Sequence, residues 1–594
     1  MARDRVLTAA WLALAVLLAV LLWHSWNGPD IFYHLALGRD VLAGGSPQPV
    51  DRVLLPQPAY RNLYWLFQVA VYGLWSAAGP VGVSTLFALL WFAVAVLWLR
   101  ITGAARHPAI GLPIALAALL VVQPRFDLRP EVVSYLLLMV QLDRLVRWRP
   151  DRDTALGTAV LLALTEAVWV NVHGYFVLGP ALVAARLTAA VAGREGVTAV
   201  RRVAALLAVT TAASLASPFG FGAWRFVAAL AAFLRDMGGE VAEFGPPTGA
   251  FLSLWTVRLF WALWISTLLA AIRLLTRRRL DPFSGLLAAA ALALSATSLR
   301  NLPLLVLLSA PLWRDALAAA RPEPAPGRSP VVVAIATATA TLAVAGAAWA
   351  ASGGFYASLH SETRFGVSLP PHAFPVRAAG YLERHGGRGR IFNSAADGGF
   401  LELAFPGLRV CMDSRYVEAP VVRRYFAALT DPAALASLDA ELGFDAVLLK
   451  LVDSGRPAVA LLRDPAWVLV WADLHRALWA RRDGAVVGSW PPEGLHLAEG
   501  DDLAEPANGL AAIQWTAVAV TSGDRSLLVE VLDQLGRAPR VPSFVVQYAL
   551  QYALANGDAE ILERGRAMAP RMVALAPEHR AAVERLLAAA GARQ

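Results

Sequence analysis

The sequence has almost no lysine and almost no cysteine: Lys450 and Cys411 are the only ones among 594 residues. A lone cysteine excludes an internal disulfide and any zinc site built on several cysteines. Charge of either sign is also scarce. Asp, Glu, Lys and Arg make up 16% of the chain, against about 25% in soluble globular proteins. Hydrophobic residues make up 57%, and the mean hydropathy is +0.53. So few polar groups cannot cover a surface wholly in water, so much of the chain needs lipid as its solvent. The length accommodates a membrane domain and at least one other. The formal charge of +8 is nearly all arginine, a bias that points to a GC-rich bacterial genome. The arginines sit mostly in short loops between apolar runs, where membrane topology accounts for them and a nucleic-acid partner does not.

What is present is a series of apolar runs. Arg3 and Arg5 precede the first, Val6 to Trp26, which is long enough to span a bilayer at about 1.5 Å per residue. No small-residue cleavage motif follows it, so it reads as an uncleaved anchor with a cytoplasmic N-terminus. Two pieces of helical spacing follow outside, Asp30–Leu42 and the aromatic-rich Asn62–Trp75, both suited to the membrane interface. Further spans are expected near 80–99, 109–123, 131–146, 155–170, 176–192, 203–217, 252–272, 283–299, 301–313 and 330–351, about eleven in all. The loops this alternation puts inside hold Arg100 and Arg106; Arg147, Arg149 and Arg152; Arg194, Arg201 and Arg202; Arg273 and Arg277–Arg279; Arg314, Arg321 and Arg328. Each is arginine-rich, as the positive-inside rule requires. The expected fold is thus a polytopic α-helical membrane protein with its N-terminus in and its C-terminus out.

Three domains follow from this reading: a membrane domain over 1–352, an extracytoplasmic α/β domain over 353–500, and a C-terminal helical segment over 501–594. In the second, a helix near Val376–His385 precedes strands at Gly389–Asn393, Leu408–Met412 and Ala446–Leu449, then the pair Trp467–Trp471 and Arg476–Arg481. That alternation favours a mixed or parallel sheet covered by helices. Asp397-Gly398-Gly399 reads as a turn, and Asp413-Ser414-Arg415 as a pair locking a strand end; the alternative is that this domain caps the outer cavity and gives Asp413 or Arg415 to acceptor binding. From about Ala507 the pattern is wholly helical and resembles a short tetratricopeptide-like array, suited to a protein partner.

Topology sorts the polar residues onto one face. Outside lie Asp30, His34, Asp51 and Arg52, then Arg125-Phe126-Asp127-Leu128-Arg129-Pro130-Glu131, then Asn171-Val172-His173-Gly174. A longer loop opened by Ser217-Pro218-Phe219-Gly220 holds Glu240 and Glu243, and Arg300-Asn301 joins two later spans. Asp30 and His34, four apart, share a helix face. Glu166 is an acid inside an apolar span, and the helical spacing of 166, 170 and 173 aims it and His173 alike; such an acid faces a cavity or a partner. Carboxylates deprotonate hydroxyls or hold divalent metals, and arginines grip phosphate through paired donors. Aromatics stack on sugars. Together these suit a lipid-linked phosphosugar approached from the outer leaflet.

An acid just beyond the first span, about a dozen spans and an outer C-terminal domain together resemble the GT-C membrane glycosyltransferases. Asp30 stands where that superfamily carries an active-site acid, although Ile31 follows it in place of a second acid. Asp30-x-x-x-His34-x-x-x-Gly38-Arg39, Arg129-Pro130-Glu131, Asn171-x-His173-Gly174, Arg300-Asn301 and Asp413-x-Arg415 further resemble a bacterial branch of multi-pass proteins, over about residues 1–480. The resemblance implies inverting transfer of sugar from a polyprenyl-phosphate carrier at the outer face of a bacterial cytoplasmic membrane. Asp30 would be base or metal ligand, the latter implying a divalent ion, and His34 its partner. Asp51, Arg125, Asp127, Arg129, Glu131, His173 and Arg300 would contact substrate. The rival readings are a lipid or polysaccharide transporter and an envelope-assembly scaffold, neither of them an enzyme.

Overall fold

A computed structural model describes residues 2–49, 52–320, 329–484, 490–497, 501–574 and 576–591. Asp51, Arg321 and Arg328 lie outside the described residues. The chain forms two compact units, one of residues 1–49 and 59–368, the other of 50–58 and 369–594.

The first unit is helical: α1 (Ala2–Leu22), α2 (Asp30–Gly44), α3 (Trp65–Thr102), α4 (Pro108–Val122), α5 (Glu131–Arg147), α6 (Ala155–Trp169), α7 (Leu178–Ala192), α8 (Val197–Ala213), α9 (Phe221–Met237), α10 (Trp255–Thr276), α11 (Pro282–Thr297), α12 (Leu302–Leu308), α13 (Ala310–Ala318), α14 (Pro330–Ala351) and the short α15 (Gly354–Ala357). Among the described residues, six helices are long and apolar enough to cross a membrane: Asp4–Leu22, Trp65–Thr102, Pro108–Arg125, Gly174–Ala192, Trp255–Thr276 and Pro330–Ala351; Ala155–Trp169 and Pro282–Thr297 are apolar but shorter.

The expected interfacial piece over 62–75 and the span that follows form one element, α3, broken where Gly79 takes φ 58° ahead of Pro80. Proline offers no N–H to the preceding turn, and glycine alone takes a positive φ without strain. The stretch read as a loop after Gly220 contains α9, an amphipathic helix whose Ala223, Phe226, Phe233 and Met237 are buried. Its apolar period was masked by arginine and aspartate on the other face.

In the second unit, strands β1 (Gly389–Asn393), β2 (Leu408–Val410), β3 (Ala446–Lys450), β4 (Trp467–Asp473), β5 (Arg476–Arg481) and β6 (Gly494–His496) form a mixed sheet in the order β2-β1-β3-β5-β4-β6. β1 runs parallel to β2 and β3, and β5 is antiparallel to β3 and β4. The segment 53–57 from the first loop runs beside β2: Leu54 N donates to Val410 O at 2.8 Å and Leu55 N to Cys411 O at 3.2 Å. Helices α16 (Val376–His385), α17 (Ala395–Ala404), α18 (Ala419–Thr430), α19 (Pro432–Leu442) and α20 (Leu451–Arg463) pack with the sheet. The C-terminal helices α21 (Pro506–Ser522), α22 (Arg525–Leu535), α23 (Ser543–Asn556), α24 (Ala559–Met568) and α25 (Pro577–Gly591) share the sheet's hydrophobic core, through Trp515, Leu528, Val546 and Ile561.

Asp397-Gly398-Gly399 is not a turn. It lies in the first turns of α17, where a Cβ on Gly398 would stand 2.2 Å from Met412 O. Gly398 serves close packing of the helix on a strand end. Asp397 is fully buried and receives Arg476 Nε at 2.8 Å and Nη2 at 2.7 Å. Arg415 reaches Asp413 at 2.5 Å and Glu402 at 3.3 Å, all three buried. Both motifs therefore hold the second unit together.

Candidate active site

The site of the first unit is assembled from four separate segments. Asp30 begins α2, and Arg125 to Glu131 form the turn between α4 and α5. Glu243 follows α9, and Arg300 lies between α11 and α12. Arg129 Nε is 3.2 Å from Asp30 Oδ2 and 3.9 Å from Asp127 Oδ2, and Nη1 is 3.0 Å from Glu243 Oε2. Arg125 bridges Glu243 and Glu131, both at 3.1 Å. Arg300 closes the series on Glu131 at 2.8 Å. Glu131 also sits in the first turn of α5, where unpaired helix N–H groups favour an anion.

Four carboxylates and three guanidiniums thus interlock with most of their surface removed from water. Burial would raise the Glu243 carboxyl, but Arg129, Arg300 and Arg125 hold it down at about 2. Burial works against the charge of Arg129, yet Asp30, Glu243 and Asp127 keep it above the usual arginine value. Arg300 is likewise held well above its usual value, against burial, by Glu131, Tyr175 and Glu243. Glu243, Arg129 and Arg300 are therefore charged at neutral pH.

An aromatic wall borders the charges. His34, Tyr64, His173 and Tyr175 follow one another with ring centres 5.3, 5.7 and 4.6 Å apart. His34 is packed inside this wall, with Nδ1 3.3 Å from Gln68 Nε2. That contact depends on Gly38, one turn on, where a Cβ would stand 2.2 Å from Gln68 O, so α2 and α3 meet there closely. Asp30 and His34 do share a helix, but Asp30 is tied to Arg129 and His34 to Gln68. His173 Nδ1 lies 2.9 Å from Ser134 Oγ, and its burial pushes its pKa down to about 4, so it is neutral at pH 7.

The helical spacing from Glu166 to His173 does not hold, because α6 ends at Trp169 and His173 is extended, with φ −166°. Both side chains nevertheless face α5, His173 at Ser134 and Glu166 at Gln141 (3.2 Å), seven residues apart. A Cβ on Gly179 would lie 1.9 Å from Glu166 Oε2, so the carboxyl is closed in.

The structure therefore brings together Asp30, Arg125, Asp127, Arg129, Glu131, His173 and Arg300. It adds Glu243, which binds two arginines, and Tyr64, Ser134 and Tyr175. Only topology hinted at Glu243, which stands in a stretch with no helical or motif signal of its own. Among the described residues no group of three or more His, Cys, Asp or Glu side chains is placed to hold a metal ion.

Phe126, between Arg125 and Asp127, borders two cavities. One, of about 200 Å³, is almost wholly apolar and is walled by Trp11, Trp91, Trp98, Leu119 and Val122. The other, of about 280 Å³, is polar and includes Asp127.

No protein-family model matches the sequence, and no curated protein matches it. Solved structures do. The oligosaccharyltransferase of Archaeoglobus fulgidus in its apo form superposes with a TM-score of 0.52 at 11% identity, covering 81% of this chain and 75% of that one. The same protein in complex with Zn and sulfate gives 0.50 at 13% identity, covering 93% and 86%. The mycobacterial arabinofuranosyltransferase AftD, as a mutant, gives 0.49 at 17% identity, covering 82% and 42%, a score too low to carry an argument. At these identities the likeness shows the fold: the chain has a GT-C-like fold.

Proposed function

We propose that the protein is an inverting glycosyltransferase. In this reading it takes a sugar from a polyprenyl-phosphate carrier at the outer face of a bacterial cytoplasmic membrane. The observation that carries the reading is the Asp30–Arg129 pair inside a three-arginine cluster, on a GT-C-like fold. Function does not follow from fold alone; the chemistry of the cluster is what supports it. Asp30 is a carboxylate paired with Arg129 and fit to accept a proton from an acceptor hydroxyl. The freed oxygen attacks the anomeric carbon, the bond from that carbon to the carrier oxygen breaks, and the phosphate leaves with the electron pair. Arg129, Arg125 and Arg300 match that leaving charge, exchanging carboxylate partners for phosphate oxygens. Arg129 also places a positive charge directly beside Asp30.

The apolar cavity beyond Phe126 suits a prenyl chain whose phosphate rests near Arg125. About eleven spans with arginine-rich loops inside would put both the cluster and the second unit outside. The test is transfer of radiolabelled sugar from polyprenyl phosphate in membranes carrying the full chain or Asp30→Asn. Transfer lost in the variant, with unchanged expression and detergent melting, is the expected result. Full activity in the variant removes Asp30 from the mechanism.

A further inference from the structure

The polar cavity beside the cluster is not used by the steps above. It is formed by the stretch after α1, the α4–α5 turn, the start of α10, and α15 with the segment that follows it. The walls are pinned together: Ser25 N donates to Arg364 O at 2.7 Å, Trp26 N to Ser368 O at 3.0 Å, and Asn27 Nδ2 to Thr363 Oγ1 at 2.6 Å. Three side chains lining the cavity carry a buried polar atom with no hydrogen-bond partner among the described residues: Asn27 Oδ1, Gln123 Oε1 and Tyr356 Oη. Gln123 is 8% exposed and Tyr356 2%. A buried polar atom left unpaired is costly, so such atoms normally mark a bound partner or water.

The chemistry of the lining is selective. Asn27 Oδ1, Gln123 Oε1 and the Asp127 carboxylate are all acceptors, and Tyr356 Oη both accepts and donates. Among the described residues no arginine or lysine lines the cavity. An anion such as phosphate is disfavoured there, whereas a neutral group rich in hydroxyl donors pairs with every acceptor. The rings of Phe126 and Tyr356 add apolar faces of the kind a pyranose or furanose ring packs against. The volume, about 280 Å³, lies just below the usual range of ligand pockets, roughly 300–1,000 Å³, as suits a single sugar residue. Asp127 stands 3.9 Å from Arg129, so this cavity and the charged cluster share a wall.

We infer that this cavity is a subsite for one neutral sugar residue, with Asn27, Gln123, Asp127 and Tyr356 as its hydrogen-bonding groups. The inference rests on the proposed glycosyl transfer for its biological meaning, but its test does not. The sugar is either that of the donor or the terminal residue of the acceptor, which share this chemistry.

The test is saturation-transfer NMR on the full chain in detergent with a panel of methyl glycosides of mannose, glucose, galactose and arabinose. At least one glycoside should bind the wild type, and Gln123→Leu and Tyr356→Phe should each weaken it tenfold or more while melting as the wild type does. Asp30→Asn should bind as the wild type does, even where transfer is abolished, which separates this inference from the catalytic reading. Tyr356→Phe keeps the ring and guards against a folding artefact in the other variant. Adding farnesyl-phosphoryl sugars then divides the sources: displacement of the glycoside assigns the cavity to the donor's sugar, and persistence assigns it to the acceptor's. No binding to the wild type, or equal binding by wild type and both cavity variants, overturns the inference and leaves a water-filled cavity only.

Discussion

Arg129 Nε lies 3.2 Å from Asp30 Oδ2, while its Nη1 lies 3.0 Å from Glu243 Oε2. One planar guanidinium therefore ties the first loop of the chain to a stretch more than two hundred residues later. A lysine would carry the same charge but, as a point donor, could not hold both carboxylates in fixed directions. Asp30 is thus aimed by a residue that, in the proposed reaction, also stands where phosphate charge would develop.

Replacing Arg129 separates these roles. Arg129→Lys should lower kcat about tenfold with a modest rise in KM for the lipid donor. Arg129→Gln, which removes the charge, should lower it by about a hundredfold to a thousandfold, as expected when one preorganised stabiliser of developing charge is lost. Steady-state transfer kinetics with varied donor would check this. Equal activity in wild type and Arg129→Gln would show that Arg129 only braces the fold.

Glu131 is the other hub. It is buried at the head of α5 between Arg125 and Arg300. Removing one side of a buried pair leaves uncompensated charge and costs about 3–5 kcal/mol. Glu131→Ala takes from Arg300 the carboxylate it pairs with and leaves Arg125 only Glu243, so it should lower the detergent melting temperature sharply. The double variant Glu131→Ala with Arg300→Met removes the Arg300 charge and should recover part of the loss. A double variant no more stable than the single one would contradict the pairing.

Acid should weaken the first unit in two stages. Below pH about 6.5 an unfolded chain protonates His173, but the buried ring in the folded protein refuses the proton until about 4. Stability from this group is full above 6.5 and falls as the pH drops to about 4, by up to roughly 3 kcal/mol. Glu243, held down at about 2, contributes stability that is lost as pH falls from its usual range near 4.5 toward 2. Melting scans from pH 8 to 4 should therefore decline, and His173→Gln should flatten the part between 6.5 and 4. An unchanged slope in that variant would put the acid sensitivity elsewhere.

Much of this was legible in the residues. Apolar runs located the helices because lipid tolerates few charges: each expected span overlaps helix, six helices among the described residues are long and apolar enough to cross a membrane, and the stretch 301–313 is divided at Ser309 between α12 and α13. The strands at 389–393, 408–410, 446–450 and 467–481 were readable from β-branched and aromatic runs bounded by turns. The conjunction of Asp30, Arg125, Arg129, Glu131, His173 and Arg300 was readable only as shared topology. Which acid would meet which arginine depends on how helices pack, and no local pattern encodes that. Glu243 was named as one loop acid among several for this reason. Asp397 was misread because glycine pairs usually mark turns, whereas Gly398 is there to let α17 approach Met412 O.

The buried pair of the second unit offers a test of that structural role. Arg476 and Asp397 are both fully buried, and Arg476 also donates to Pro371 O at 2.5 Å and Ala373 O at 3.1 Å. Arg476→Met would strand the Asp397 carboxylate in a dry core and free two carbonyls of the segment before α16. The cost should be about 3–5 kcal/mol, read as lower expression and earlier unfolding in denaturant. Adding Asp397→Leu should restore part of it, because apolar pairs of similar size often replace buried ion pairs at little cost. If that double variant also retains sugar transfer, the motif serves the fold alone. A stable double variant that had lost transfer would instead give Asp397 or Arg476 a part in the reaction.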